Sequence, residues 1–161
     1  MLTQSVSSVN EKNQFIVYFD GLCEPRNPGG VATYGIIIQK DGETIYEDSG
    51  LAEAEPWSND TSNNVAEYSA VIKALEWLDL NRKHNTSVIV RGDSKLIVSQ
   101  LNGEFKVKSL RIIELHHKAK KLLAKFRSIK IEWVDRSLNE EADRLSRIAY
   151  KRYVSAHPKP T

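Results

Sequence analysis

The chain has 161 residues, 40% of them hydrophobic, with eight glycines, five prolines and one cysteine, a profile that excludes disordered, collagen-like and disulfide-stapled chains. Roughly 70% of the unfolded surface is buried on folding at this length, so a core needs neither metal nor disulfide to complete it. The sum of 23 basic and 21 acidic side chains points to no partner, but residues 1–80 carry net −9 (4 basic, 13 acidic) and residues 81–161 carry net +11 (19 basic, 8 acidic).

Residues 1–13 are polar, lack the apolar run of a secretion signal, and read as a flexible N-terminus to one domain over 14–153. No later stretch reaches the ~18 apolar residues of a membrane helix. The lone Cys23 cannot form an internal disulfide, which suits a reducing, cytoplasmic or nuclear setting. Phe15–Phe19 (FIVYF) reads as a strand buried on both faces and ending at Asp20-Gly21. After a loop from Leu22 to Gly30, Tyr34–Ile38 and Thr44–Leu51 read as strands joined at Asp41-Gly42, giving an antiparallel meander. The loop Pro56–Asn64 leads to a helix over about 64–82, where Val65, Tyr68, Ile72, Leu75 and Leu78 share a face. Ser87–Val90 is a fourth strand closing at Gly92-Asp93, and Ser94–Leu101 is a short helix stopped by Asn102-Gly103. Leu110, Ile113, His117 and Ala124 mark an amphipathic helix to about Phe126, Ile129–Val134 is a fifth strand, and Ser137 to about Tyr153 is a final helix with Leu138, Ala142, Leu145 and Ala149 inward. Residues 154–161 read as a C-terminal tail. This order predicts an α/β fold, a mixed five-stranded sheet with three antiparallel and two parallel strands, flanked by helices.

Four carboxylates sit where that topology would gather them, and each has an ordinary explanation when taken alone. Asp20 could be a turn residue before Gly21, Glu67 the partner of an Asn64 N-cap three positions earlier, Asp93 the N-cap of the following helix, and Asp143 one half of an i,i+4 pair with Arg147. Jointly they say more. The first and fourth strands would be neighbours, so both aspartates emerge at one sheet edge, while Glu67 and Asp143 lie near helix starts. Clustered carboxylates repel unless cations neutralise them, and hard cations demand that kind of oxygen donor set.

The segments Asp20-Gly21-Leu22-Cys23 with Asn27-Pro28-Gly29-Gly30, Thr61-Ser62-Asn63-Asn64-Val65-Ala66-Glu67, Gly92-Asp93-Ser94 and Asn139-Glu140-Glu141-Ala142-Asp143-Arg144-Leu145 resemble, in order, the four motifs of type 1 ribonuclease H. The acids are separated by 47, 26 and 50 positions, and the resemblance covers Phe15 to about Tyr153. It implies a ribonuclease H-like fold and hydrolysis of the RNA strand of RNA/DNA hybrids by two metal ions, Mg²⁺ or Mn²⁺, with 5′-phosphate and 3′-hydroxyl products. Asp20, Glu67, Asp93 and Asp143 match the family's metal-binding and catalytic acids. Asp20 would bridge both ions, Asp93 and Asp143 would serve the nucleophile side, and Glu67 the leaving-group side. Cys23, Asn27, Asn63 and Asn64 match its groove-facing substrate contacts, and Lys95 stands where a glutamine is frequent.

Two departures stand out. The histidine that bacterial members place before the last helix is absent from Asp135-Arg136-Ser137-Leu138, which makes the chain more similar to archaeal members, with Arg136 as the candidate cation near the phosphate. The basic protrusion between the middle helices is missing, since only Gly103–Ser109 separates them, although Lys106, Lys108 and Arg111 leave positive charge there. Lys118, Lys120, Lys121 and Lys125 follow on the next helix, as phosphate contacts or as a solvated face. The excess of Lys and Arg after residue 81 marks the side expected to meet the duplex. The short connection and Lys95 widen the expected substrates to double-stranded RNA and RNA–DNA junctions, acted on by a monomer. The rivals are a related exonuclease, which would carry a glutamate where Leu22 stands, a transposase or integrase core, which would end on a glutamate, and a non-catalytic hybrid- or duplex-RNA-binding module, which has no use for four acids facing phosphate.

Overall fold

The computed structural model describes residues 13–159. Its elements are β1 (Gln14–Glu24), β2 (Val31–Lys40), β3 (Glu43–Leu51), α1 (Asn63–Leu80), β4 (Ser87–Gly92), α2 (Lys95–Leu101), α3 (Leu110–Leu123), β5 (Ser128–Trp133), a 3-10 turn over Arg136–Leu138, and α4 (Glu140–Ala156). The sheet order is β3-β2-β1-β4-β5. The β1–β2 and β2–β3 pairs are antiparallel and the β1–β4 and β4–β5 pairs parallel, as the element order implied.

The first strand does not stop at Asp20-Gly21. Its pairing with β2 continues to Glu24 opposite Val31, whereas its parallel pairing with β4 ends at Tyr18 opposite Arg91. Beyond Tyr18 the two parallel strands part and leave a cleft at their carboxyl ends, the place where open sheets hold ligands.

Alternation along β1 and β2 assigns the faces. Phe15, Val17, Phe19, Ile36 and Ile38 join the principal core with α1 and α3, while Gly35 of β2 meets α4. The expected face of α1 is buried, and so are Ala66, Ser69, Ala70, Val71 and Ala74, because the helix is covered by the sheet on one side and by α3 on the other. The inward face of α3 is not the expected stripe through Leu110 and Ile113, which are exposed, but the neighbouring one: Ile112, Leu115, Ala119 and Leu122 are buried. Leu138, expected inward, lies exposed in the 3-10 turn. The last helix therefore starts at Glu140 rather than Ser137, and it runs to Ala156, so that 154–156 of the expected tail are helical. Residues 1–12, with most of the expected N-terminal segment, and 160–161 lie outside the described residues. No helix among the described residues is long and apolar enough to cross a membrane.

Candidate active site

Two glycines allow helices to reach the cleft. A Cβ on Gly21 would collide with the backbone of Ala66 and Glu67 on α1, and one on Gly35 would collide with the backbone of Ala142 and Ser146 on α4. Gly35 pairs directly with Asp20 across β1 and β2. Having no side chain at these two points brings α1 and α4, and with them Glu67 and Asp143, down beside Asp20.

The ordinary explanations for three of the acids fail on local geometry. Asp20 lies within β1 rather than in a turn. The N-cap of α1 is Ser62, whose Oγ accepts from the Val65 N–H, so Glu67 is not the partner of an Asn64 cap. Ser94 caps α2 through the Ile97 N–H, which leaves the Asp93 carboxylate free of that duty. The fourth explanation holds: Arg147 donates from Nε to Asp143 Oδ2 at 3.2 Å.

Oxygens of Asp20, Glu67 and Asp93 lie within 4.8 Å of one another, and the Asp143 carboxyl is in hydrogen-bonding contact with that of Asp20. All four line one cavity of about 240 Å³ with Cys23, Asn63, Arg136 and Arg147. Asp20 and Glu67 are each 6% exposed. Burial pushes the Asp20 carboxyl up to about 8, helped by the hydrogen bond to Asp143 and the charges of Asp93 and Asp143, against the opposing pull of the Gly21 N–H. Glu67 is raised well above the usual carboxylate range, by burial first and then by Asp20 and Asp93. Its Oε2 is buried with no hydrogen-bond partner.

The remaining candidates divide. Cys23 and Arg136 stand in the wall of the acidic cavity, the Cys23 thiol donating to the Arg26 carbonyl at 3.0 Å. Asn27 Oδ1 accepts from the Asn63 N–H at 3.0 Å, tying the loop after β1 to the start of α1. Asn64 lines a neighbouring groove with Phe105, Lys106 and Lys108. The Lys95 ammonium lies 4.7 Å over the Trp133 ring, whose indole N–H donates to the Asp93 carbonyl. The lysines on and just after α3 are largely taken: Lys118 pairs with Glu53 and Lys125 with Asp79, each at 2.9 Å, and Lys120 donates to the Leu101 carbonyl. No histidine lines the cavity among the described residues.

Residues 19–149 match a family described as reverse transcriptase-like. The solved ribonuclease H1 of the archaeon Halobacterium salinarum superposes with a TM-score of 0.75 at 31% identity, over 86% of this chain and 98% of that one. The chain belongs to the type 1 ribonuclease H family. A ribonuclease H1 isolated from compost, solved in complex with an RNA/DNA hybrid, has a TM-score of 0.77 at 32% identity and covers 87% of this chain and 99% of its own. A bifunctional protein of Mycobacterium tuberculosis is 37% identical over 120 residues, 74% of this chain and 31% of its own length. The present chain thus spans about a third of that mycobacterial relative.

For this member of the type 1 ribonuclease H family, the motif acids were readable in sequence, but two of the residues around them were not. Arg147 read only as the partner of Asp143; it also lines the cavity and reaches within 3.8 Å of Glu24. Asn139 reads in sequence only as the first residue of the fourth motif, within a helix expected to begin at Ser137, and nothing local gives it a role of its own.

Proposed function

We propose that this chain is a metal-dependent endoribonuclease that hydrolyses the RNA strand of RNA/DNA hybrids, leaving 5′-phosphate and 3′-hydroxyl ends. The observation that carries this reading is the meeting of the Asp20, Glu67 and Asp93 oxygens within 4.8 Å, with Asp143 against Asp20. The donor set fits hard divalent cations, since every ligand is oxygen and anionic or readily made so. The orphaned Glu67 Oε2 is an acceptor that a cation would satisfy. Asp20, Glu67, Asp93 and Asp143 would hold Mg²⁺ or Mn²⁺, two ions per site. When bound, such ions neutralise the scissile phosphate, generate a hydroxide nucleophile and stabilise the leaving 3′ oxygen.

The protein's own side chains do the rest. Asp20, in contact with both Glu67 and Asp143, is pushed toward its protonated form in the metal-free site and gives up that proton when the acids turn to cations, so metal affinity rises with pH. Arg147 keeps Asp143 in place, and Arg136 adds positive charge to the same wall, where a phosphate would enter. RNA is told from DNA by its 2′-hydroxyls across a shallow minor groove. Asn63 beside the acids and Asn64 in the adjoining groove carry amides suited to that task, with Asn27 fixing the position of Asn63. Cys23 and Lys95 complete the proposed contacts. The short α2–α3 connection and Lys95 support an extension to double-stranded RNA and RNA–DNA junctions.

The test is a labelled hybrid, a double-stranded RNA and a DNA duplex incubated with Mg²⁺ or Mn²⁺, with Asp20→Asn as control. Expected are cleavage of the hybrid to 5′-phosphate products and a silent D20N. Binding of the hybrid without cleavage would point to the binding-module alternative, and cleavage confined to hybrids would remove the extension in range.

A further inference from the structure

Asn139 is 1% exposed and occupies the N-cap position of α4 without using its side chain as a cap. An asparagine there ordinarily accepts a hydrogen bond from the first turn of the helix. Its Nδ2 instead donates to the Phe19 carbonyl at 2.8 Å and to Asp93 Oδ2 at 3.1 Å. Both partners are acceptors, so the amide orientation is forced: flipped, it would set oxygen against oxygen. The Oδ1 atom is left buried with no partner. Meanwhile the Asn139 backbone carbonyl accepts from the Asp143 N–H at 3.2 Å.

One residue therefore touches the carriers of three acids at once: the strand residue before Asp20, the Asp93 carboxylate itself and the first turn holding Asp143. It does so by giving up a local cap and burying an unsatisfied carbonyl, two costs with no return to the stability of α4. We propose that Asn139 is a positioning residue for the acidic site, which holds one oxygen of Asp93 and registers β1, β4 and α4 so that the acids converge on cations. This rests on the metal-dependent reading above. The Asn139 amide itself touches neither cation nor substrate; it acts by fixing which Asp93 oxygen is free to coordinate, in the way that groups behind metal ligands orient them.

The experiment compares Asn139→Asp, which removes both donors at constant shape, and Asn139→Ala with Asn102→Ala, which deletes a similar side-chain bond, to the Ile131 carbonyl at 3.0 Å, away from the acids. Mn²⁺ binding to each folded protein is titrated calorimetrically well below its melting temperature, beside the Mn²⁺ concentration for half-maximal hybrid cleavage. Expected is a rise of about 10-fold or more in both metal readings for N139D and N139A, an unchanged KM for the hybrid, and unchanged metal readings for N102A. Native metal affinity in folded N139D and N139A, whatever their melting temperatures, would overturn the proposal. A parent protein that binds Mn²⁺ but cleaves no hybrid would sink the functional reading while leaving the calorimetric comparison intact.

Discussion

Two groups of acidic side chains in this molecule differ in what surrounds them. At the α1–α3 seam, Glu53 and Glu76 meet Lys118 and Asp79 meets Lys125 and His84, and the hydrogen bonds from Lys125 and His84 hold Asp79 below the usual carboxylate range. At the cleft between β1 and β4, Asp20 and Glu67 are buried against other acids and both are pushed up. The same residue types stabilise one region and strain the other, because the seam carries its own cations and the cleft faces mostly its own kind. Part of the −9/+11 split along the chain is thereby used inside the fold, pairing acids of the first half with lysines of the second, so total charge is a poor guide to where a duplex would lie.

The largest effect expected from breaking this contrast is on chemistry. Asp20→Asn, Glu67→Gln or Asp93→Asn should lower hybrid cleavage at least about 10³-fold, about 4 kcal/mol at the transition state, measured under single-turnover conditions. Next is the geometry that forces the acids together. Gly21→Ala places a methyl group inside the α1 backbone and should cost about 3 kcal/mol or more, seen as a lowered denaturant midpoint, with cleavage abolished even where the variant folds.

A subtler test uses protons. Because Asp20 is raised from 3.8 to about 8 in the folded protein, the metal-free native state binds this proton more tightly than the unfolded chain does. Stability must then fall as pH rises from about 4 to about 8 and level off above that. Between pH 5 and 8 the metal-free melting temperature should drop by roughly 7–14 °C, the response of a chain this size to about 3.5 kcal/mol. Mg²⁺ should reverse the drop, and D20N should flatten it while remaining inactive; a melting temperature that climbs over this interval would contradict the assignment. The smallest effect belongs to the seam. Lys118→Ala should cost at most about 1 kcal/mol and leave the salt dependence of hybrid binding unchanged. Lys106→Ala or Lys108→Ala, beside Asn64 in the open groove, should reduce the slope of log affinity against log salt by about 0.9 for each phosphate no longer neutralised.

Local pattern was enough to place nearly every element, since periodicity of 2 and 3.6 survives in FIVYF and in the Val65–Leu78 face. It also supplied the four acids, because the motifs that carry them are short and contiguous. It misjudged α3, where Leu110 and Ile113 mimic an inward face that Ile112 and Leu115 occupy, and it ended β1 at a glycine. Gly21 reads in sequence as a turn former; only the packing of α1 shows that it is there for close approach.

The sequence by itself determined the order of elements, the sheet they imply and the identity of the acids, since each is written in neighbouring residues. Only the tertiary structure decided that β1 continues past its pairing with β4 to open the cleft, that Lys118 and Lys125 are matched to Glu53 and Asp79, and that Asn139 forgoes its own helix to hold Asp93. The last two outcomes depend on contacts between residues 46 to 120 positions apart, and such contacts leave no period or spacing in the chain. They arise when two helices are brought against one pair of strands, and burial then sets the energies of groups whose local sequence allowed either role.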